Sequence, residues 1–576
     1  MPGARSMSVE QAVALIKTDK LTEASSTLQQ HLQTKPDDRW ALYLLGQTLA
    51  KLKQWQPAIE VLSKVLAKEL ANIQAMYCLG YCYEMTESYA QATELYKKVI
   101  KLDKNHWQAY YHMALIMLVD NQEILAERYA EKTLQLCGPH YEVYNVLAEA
   151  NKRIGIYDKA NHYSREAYKL APNKDLLGVI VYMMHFDPNQ GLKDFWYWTT
   201  QYHDNYLAHL QPAYDFSKRK PKQKIRLGFV SADFRAHPIA SYLIRIFEKL
   251  NKDEFEIYLY YNKDDIRDQT KIMQELADEF HFVKEMADQE LADLIYQDEV
   301  DILFDMSGFT AGERLPVFKL KPAPVQITHQ GYFGTLAIPE IDYIIGDEII
   351  IKPGEEKYFS EEVIRLKSFA HAALYGNFEP TAKPPCLDNG YITFGALNSM
   401  RKISPEVLET WIEIMRAVPE SRIQFDCKVL VIDTNKEHFF EIFERGGISR
   451  DRVLIDATVE RQDFLAKFNE VDIMLDPFPY GGGTTSLEAT MMGVPIVTIE
   501  GDRWVGRMTA SYYHNLNREE LIAQSRRDYI AKAIELANDT ERIATYKASL
   551  PGQLKDSPLS IESFVADFEE QMKKLV

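Results

Sequence analysis

Small residues recur every 34 positions along the first third of the chain: Ala12, Gly46, Gly80, Ala114 and Ala148 form one comb, and Ala24, Ala58, Ala92, Ala126 and Ala160 form a second. A period of that length fits two antiparallel helices per unit. The small residue lets the helices approach closely, and large residues fill the stack between neighbours. Large apolar residues do recur around the combs, in WALYLLGQTLA from Trp40, QAMYCLGYCYE from Gln74, WQAYYHMALIM from Trp107 and YEVYNVLAEAN from Tyr141. Turn signals separate the units: KPDD at Lys35, LDKN at Leu102, GP at Gly138 and APN at Ala171. The expectation is about five stacked pairs over residues 6–174.

Period, combs and aromatics together resemble tetratricopeptide repeats. Stacked repeats of this kind bind other chains along a concave surface, so capture of a protein partner or substrate is the functional reading. Bracing of a neighbouring domain, or a homo-oligomer, is the alternative. Tyr43, Tyr77 and Tyr111 are read as stacking core rather than contact surface.

With 576 residues and 46% hydrophobic content, the chain has material for several cores. Its formal net charge of -18, from 84 acidic and 66 basic residues, argues against a nucleic-acid partner held by a general basic field. Any phosphate it holds must be bound locally. The five cysteines are scattered, and Cys78 and Cys82 have no second ligand pair, so neither a disulfide framework nor a metal site is expected. No apolar run is long enough to span a membrane, and MPGARSMSVEQ lacks a signal-peptide core, so a cytoplasmic location is expected. Residues 175–223 are read as a linker or helical region. Its basic SKRKPKQK, with Pro221, is read as a solvated boundary rather than a nucleic-acid contact.

From Lys224 the pattern changes to short apolar runs alternating with helical stretches. KIRLGFVS, FEIYLYYN, VDILFDMS, VQITHQGY and IDYIIGD are predicted strands of one domain, residues 224–385. GYITFGALN, SRIQFDC, DRVLIDA, VDIMLD and VPIVTIE are those of a second, residues 386–576. Such alternation predicts parallel sheets covered by helices, with a binding cleft at the carboxyl ends of the strands.

The stretch PFPYGGGTTSLEATMMGVPIV (residues 477–497) joins the VDIMLD strand to a helix. Backbone N–H groups of Gly482, Gly483, Thr484 and Thr485 can converge there on an anion, helped by the helix dipole and the threonine hydroxyls. The loop has neither the lysine and spacing of a P-loop nor a GxGxxG pattern, which disfavours an ATPase or a dinucleotide enzyme. Other groups fall at strand ends. His237 follows SADFRA, Gly308, Thr310 and Arg314 lie in MSGFTAGERLP, and Arg401 and Lys402 follow a strand in NSMRKISPEV, where they suit a phosphate.

The ordered set IRLGFVSADFRAHPIASYL, VDILFDMSGFTAGERL, KPAPVQITHQGYFGT, IDYIIGDEIIIKP, FGALNSMRKISPEVLETWIEIMRAVPESR, DPFPYGGGTTSLEATMMGVPIVTI and GDRWVGRMTAS is similar to the protein O-GlcNAc transferases and their SPINDLY-like relatives. The resemblance implies a multidomain chain, an all-α repeat solenoid followed by two Rossmann-like α/β domains of the GT-B type. It also implies an inverting transfer from a nucleotide sugar to Ser/Thr of proteins, with no cofactor and no metal. Carried over residue by residue, Lys402 meets the donor diphosphate, and Thr484 and Thr485 match the threonine pair at the phosphate-binding helix, approached through Gly481, Gly482 and Gly483. His237 matches a histidine near sugar and acceptor, Gly331 and Gly334 a loop facing the sugar, and Arg507 the arginine of the last motif.

Departures are equally specific. Gly483 stands where the O-GlcNAc transferases carry histidine, Glu488 where they carry aspartate, Ser399 for a glutamine, and Phe464 for a histidine near the nucleoside, flanked by Arg461 and Lys467. FPYGGGTT and FGALNSMRKI look closer to the SPINDLY type, some of which use GDP-fucose. The donor expected is UDP-GlcNAc ahead of GDP-fucose or another hexose donor. His237 is the first candidate for general base and Asp293 a poorer second. A non-catalytic repeat scaffold is the alternative class. Metal independence is the expectation, since no DxD-type carboxylate pair falls at a strand end and Lys402 with the threonine helix can neutralise the leaving phosphate.

Overall fold

The computed structural model describes residues 7–220, 222–374, 376–458 and 460–576. Residues 1–6, where the repeats were expected to begin, and Pro221 of the basic stretch lie outside them. The chain separates into two compact units, Met1–Asn151 and Lys152–Val576.

In the first unit, helices pair in the expected order: Met7–Lys17 with Leu21–Thr34, Arg39–Lys51 with Trp55–Lys68, Ile73–Met85 with Tyr89–Leu102, and Trp107–Val119 with Glu123–Cys137. The comb residues Ala12, Ala24, Ala58, Ala92, Ala114 and Ala126 are all fully buried. Their smallness is used. A Cβ on Gly80 would stand 2.8 Å from the Tyr96 ring, and one on Gly46 2.5 Å from Leu62. Each hairpin turns through one residue of left-handed backbone, at Asp19, Lys53, Glu87 and Asn121, with φ between 53° and 59°. The fifth pair is Tyr141–Arg153 and Tyr157–Leu170, and the division between the units falls within its first helix.

The second unit begins with the rest of that pair and continues through helices Lys174–Met183 and Leu192–Tyr202, in the region read as a linker. Two parallel sheets follow. The first contains β1 (Ile225–Ser231), β2 (Phe255–Tyr261), β3 (Glu279–Phe282), β4 (Ile302–Asp305), β5 (Val325–Thr328), β6 (Tyr343–Gly346) and β7 (Glu362–Arg365), in the order β3-β2-β1-β4-β5-β6-β7. The second contains β8 (Thr393–Ala396), β9 (Arg422–Asp426), β10 (Val453–Asp456), β11 (Ile473–Leu475), β12 (Ile496–Ile499) and β13 (Ile522–Ala523), in the order β10-β9-β8-β11-β12-β13. The order reverses between β1 and β4 in one sheet and between β8 and β11 in the other. Crevices open at such switch points in parallel sheets, outside the carboxyl ends of the strands.

Contacts tie the two sheet domains together. Arg507 reaches Glu355 through both terminal nitrogens at 2.6 and 2.8 Å, and the Ser511 hydroxyl donates to Asp347 at 2.6 Å. The last helix, Ile561–Lys574, leaves the second sheet domain and returns to the first, where Phe564 meets Tyr242 and Phe568 meets Phe304. Among the described residues, no helix is long and apolar enough to cross a membrane.

The comb gives a test of packing. Gly80→Leu would drive a branched side chain into the Tyr96 ring, and overpacking of this kind costs about 1–3 kcal/mol. Far-UV circular dichroism of the whole chain in urea should show the helical transition at lower denaturant, whereas an unchanged transition would mean the helices are not held that closely.

Candidate functional site

A cleft of about 980 Å³ opens in the second unit, where the switch points of the two sheets face each other. Its size suits a nucleotide-sized ligand. Lys402 reaches it from the turn Met400–Lys402, directly after β8. The Nζ donates to the Gly481 carbonyl at 2.7 Å and lies 4.2 Å over the Tyr480 ring. Desolvation pushes this ammonium down to about 8, although the carboxylate of Asp476 opposes the shift.

Asp476 ends β11 and organises the glycine loop. Its Oδ1 accepts the Gly482 N–H at 2.6 Å and its Oδ2 the Thr498 hydroxyl at 2.7 Å. Burial raises the Asp476 carboxyl, and these donors together with Lys402 pull the other way. No side chain fits at Gly482, where a Cβ would lie 2.0 Å from Ser486 Oγ and 3.0 Å from Asp476 Oδ1. Beyond the loop, the helix Thr484–Met491 starts at the cleft. Its first backbone N–H groups have no partner within the helix, and among the described residues the hydroxyls of Thr484 and Thr485 have none either. Unpaired donors, the positive end of a helix and a lysine converge on one place, which is the chemistry of an anion cradle.

The facing wall comes from the first sheet. His237 follows β1 and caps the helix Pro238–Lys249. Its Nδ1 accepts the Ile239 N–H at 3.3 Å and lies 3.8 Å from Asp233. Burial lowers the imidazole below its ordinary value, with Asp233 opposing and Arg235 and Lys263 adding to the shift. A neutral ring held this way carries its proton on Nε2. The loop after β4 is gathered by Asp305, which accepts from Ser307 and Gly308 N–H groups and from Thr328, and which burial raises to about 6. Thr310 in this loop and Gly331 line the cleft. A Cβ on Gly331 would sit 2.0 Å from the Met306 carbonyl, so the two loops interlock there.

Other expected residues are placed elsewhere. Gly308 lies under Tyr332, and Gly334 lies in a side pocket near His185. Glu488 is buried on the cradle helix itself, with Arg461 Nη2 at 2.5 Å. Phe464 meets Phe468 edge-on, and Lys467 pairs with Asp456 at 2.7 Å. None of Glu488, Arg461, Phe464 and Lys467 lines the cleft. Ser399 contributes its carbonyl, accepting the Lys402 N–H at 2.9 Å. Arg507, expected on the sugar side, is engaged with Glu355 as a clamp between the sheet domains. Arg314 is buried against Asp288 and the carbonyls of Val283 and Met286. Asp293 accepts from Tyr214 at 2.6 Å and from Gln289, outside the cleft lining.

A third wall was not anticipated. Tyr157, Lys174, Tyr182 and His185 bring the helices before the first sheet into the cleft. His185 lies between the rings of Phe195, Tyr332 and Tyr480; burial, with Arg503 nearby, pushes it down to about 3. The available signal was the aromatic density of VYMMHF followed by FWYW in the presumed linker.

Two parallel-sheet domains sharing a cleft at their switch points, behind helical repeats, make up a GT-B type architecture. The profile of glycosyl transferase family 41 matches residues 204–374 and 381–568, well over half of the chain, and the chain belongs to that family. Among the similar curated proteins is "Probable UDP-N-acetylglucosamine--peptide N-acetylglucosaminyltransferase SPINDLY" of Solanum lycopersicum, 31% identical over 60% of this chain and 38% of its own length. The protein of the same description named SEC from Arabidopsis thaliana is 25% identical over 58% of this chain and 35% of its own. This chain thus spans well under half the length of these relatives. A solved mutant of the Thermobaculum terrenum O-GlcNAc transferase superposes with a TM-score of 0.74 at 25% identity, covering 88% of this chain and 97% of that one.

The cradle has a pH signature. Lys402 is charged below its lowered value of about 8, so affinity for inorganic pyrophosphate should fall as pH rises from 7 to 9, by up to about tenfold per unit. Calorimetric titration of Lys402→Met should show weak binding without that dependence. A flat profile in the native protein would remove Lys402 from the anion site.

Proposed function

We propose that the chain transfers a sugar from a nucleotide sugar to hydroxyl groups of protein acceptors, with UDP-GlcNAc as donor, inversion at the anomeric carbon and no metal requirement. The observation that carries this reading is the cradle itself. Lys402, the glycine loop and the start of the helix Thr484–Met491 meet at one switch point, across the cleft from His237 and Thr310. A diphosphate seated in the cradle would direct its sugar into the cleft. The relatives named as UDP-N-acetylglucosamine–peptide transferases support the donor and the acceptor class. Repeats that capture other chains fit a protein acceptor.

In this reaction the acceptor oxygen bonds to the anomeric carbon from one face while the bond to the diphosphate oxygen breaks on the other. The electron pair leaves with the diphosphate. Lys402 and the helix start stabilise the charge that develops there. With its Nδ1 accepting the Ile239 N–H, His237 would donate from Nε2 to a substrate oxygen rather than take the acceptor's proton. Of the carboxylates lining the cleft, Glu313 is held by Lys174 and Tyr202 and Asp233 by Arg235 and His237, which leaves Asp175 as the receiver of that proton.

Purified protein should transfer GlcNAc from UDP-GlcNAc to a protein acceptor in the presence of EDTA, and Lys402→Ala should lower kcat by about 10²–10³. Transfer from GDP-fucose alone would move the donor assignment, and loss of activity in EDTA would overturn metal independence. If no donor of either class is used or bound, the scaffold reading takes over.

His237 gives a separate test. His237→Gln keeps a donor and should retain activity within about tenfold, whereas His237→Ala should lose about 10². The acidic limb of the pH–rate profile should be unchanged in His237→Gln; its disappearance would make His237 the base.

A further inference from the structure

The left-handed turn residues of the repeats form a third comb: Asp19, Lys53, Glu87, Asn121 and Gly155, again 34 apart. Four of the five are not glycine, so the turn conformation does not require glycine. Gly155, with φ of 80°, has a different reason. A Cβ there would stand 2.7 Å from the Met400 carbonyl and 2.8 Å from that of Ile403. Those carbonyls belong to the turn that carries Lys402, and backbone atoms cannot swing aside as a side chain can.

A second path links the same hairpin to the same lysine. Tyr157 stacks on Phe186 with centroids 4.5 Å apart, Phe186 lies 4.6 Å from Tyr480, and Tyr480 carries the Lys402 ammonium over its ring. Arg503 steadies the intervening loop by donating to the carbonyls of Met184 at 3.4 Å and Asp187 at 3.1 Å. We infer that the fifth repeat turn, through Gly155 and the file Tyr157–Phe186–Tyr480, is the positioning element that sets where Lys402 stands in the cradle. This rests on the reading of Lys402 as the group that meets the diphosphate. The charged group acting on it is Asp476 at the end of β11, and the Tyr480 ring lies under it; Arg401, Lys152, Tyr182 and His185 line the same cleft.

The test follows the lysine directly. Trace acetylation with acetic anhydride between pH 6.5 and 10, resolved by residue with mass spectrometry, gives the titration midpoint of each lysine in the full chain. Lys547 is the internal control: it too is pushed down to about 8 by burial, but its Nζ donates to Met492 and Asn469, away from the cleft. Gly155→Ala should raise the Lys402 midpoint by about one pH unit, as its turn is pushed out and its ammonium becomes better hydrated, and leave Lys547 in place. Phe186→Leu should do the same without touching the turn, and it decides the matter if Gly155→Ala does not fold. Glu87→Ala, a substitution at the corresponding turn of the third repeat, should move neither lysine. Titration with UDP should show about tenfold weaker binding in both test variants. An unmoved Lys402 midpoint, or Lys402 and Lys547 shifting together, overturns the inference. If native protein binds no UDP, the proposed function falls while the lysine midpoints still decide the positioning role.

Discussion

The site depends on one buried carboxylate. Asp476 lies buried at the end of a central strand, and four partners offset that cost: the Gly482 N–H, the hydroxyls of Thr498 and Thr509, and the charge of Lys402. Each partner is fixed in return. The glycine loop is pulled under the cradle helix, β12 is tied to the end of β11, and the lysine is held close although burial disfavours its charge. An isolated charge at that depth would be costly, so carboxylate and ammonium each make the other tolerable.

That arrangement also explains how a chain with net charge -18 can hold an anion. The attraction is not a property of the surface. It is confined to a few donors at a switch point, where desolvation makes each one count for more than it would in water.

Much of this was legible in the sequence, and the limits are physical. Central strands such as β1, β2 and β11 are buried on both faces and read as short apolar runs. The edge strands β3, β7 and β13 did not stand out, because EFHF and EVIR carry charge and β13 has only two residues. Strand-end residues could be placed because parallel sheets put their crevice there, and His237, Lys402 and Thr484 line it. Arg461, Phe464 and Lys467 share one short helix, and local pattern cannot tell which of its faces meets a distant cleft. Arg507 and Asp293 lie outside the cleft lining for a similar reason, since the partners that hold them, Glu355 and Tyr214, are far away in sequence. The third wall joins Tyr157 and Lys174 of the expected repeats to Tyr182 and His185 of the linker or helical region, and local pattern does not say that these helices pack on a distant cleft. The turn comb stayed hidden because aspartate, lysine, glutamate and asparagine share no type; only their backbone angle is common.

At the fifth turn the periodic array loses its translational freedom. Units of a solenoid that meet only their neighbours can be duplicated, deleted or exchanged with little consequence beyond their own junctions. A hairpin whose glycine must pass beneath two carbonyls of another domain is not exchangeable with its siblings, even though its period and its small-residue combs are theirs. Lengthening or shortening of the array is therefore expected upstream of that turn, and grafting an earlier repeat into the fifth position would bring a side chain against two backbone carbonyls that cannot give way.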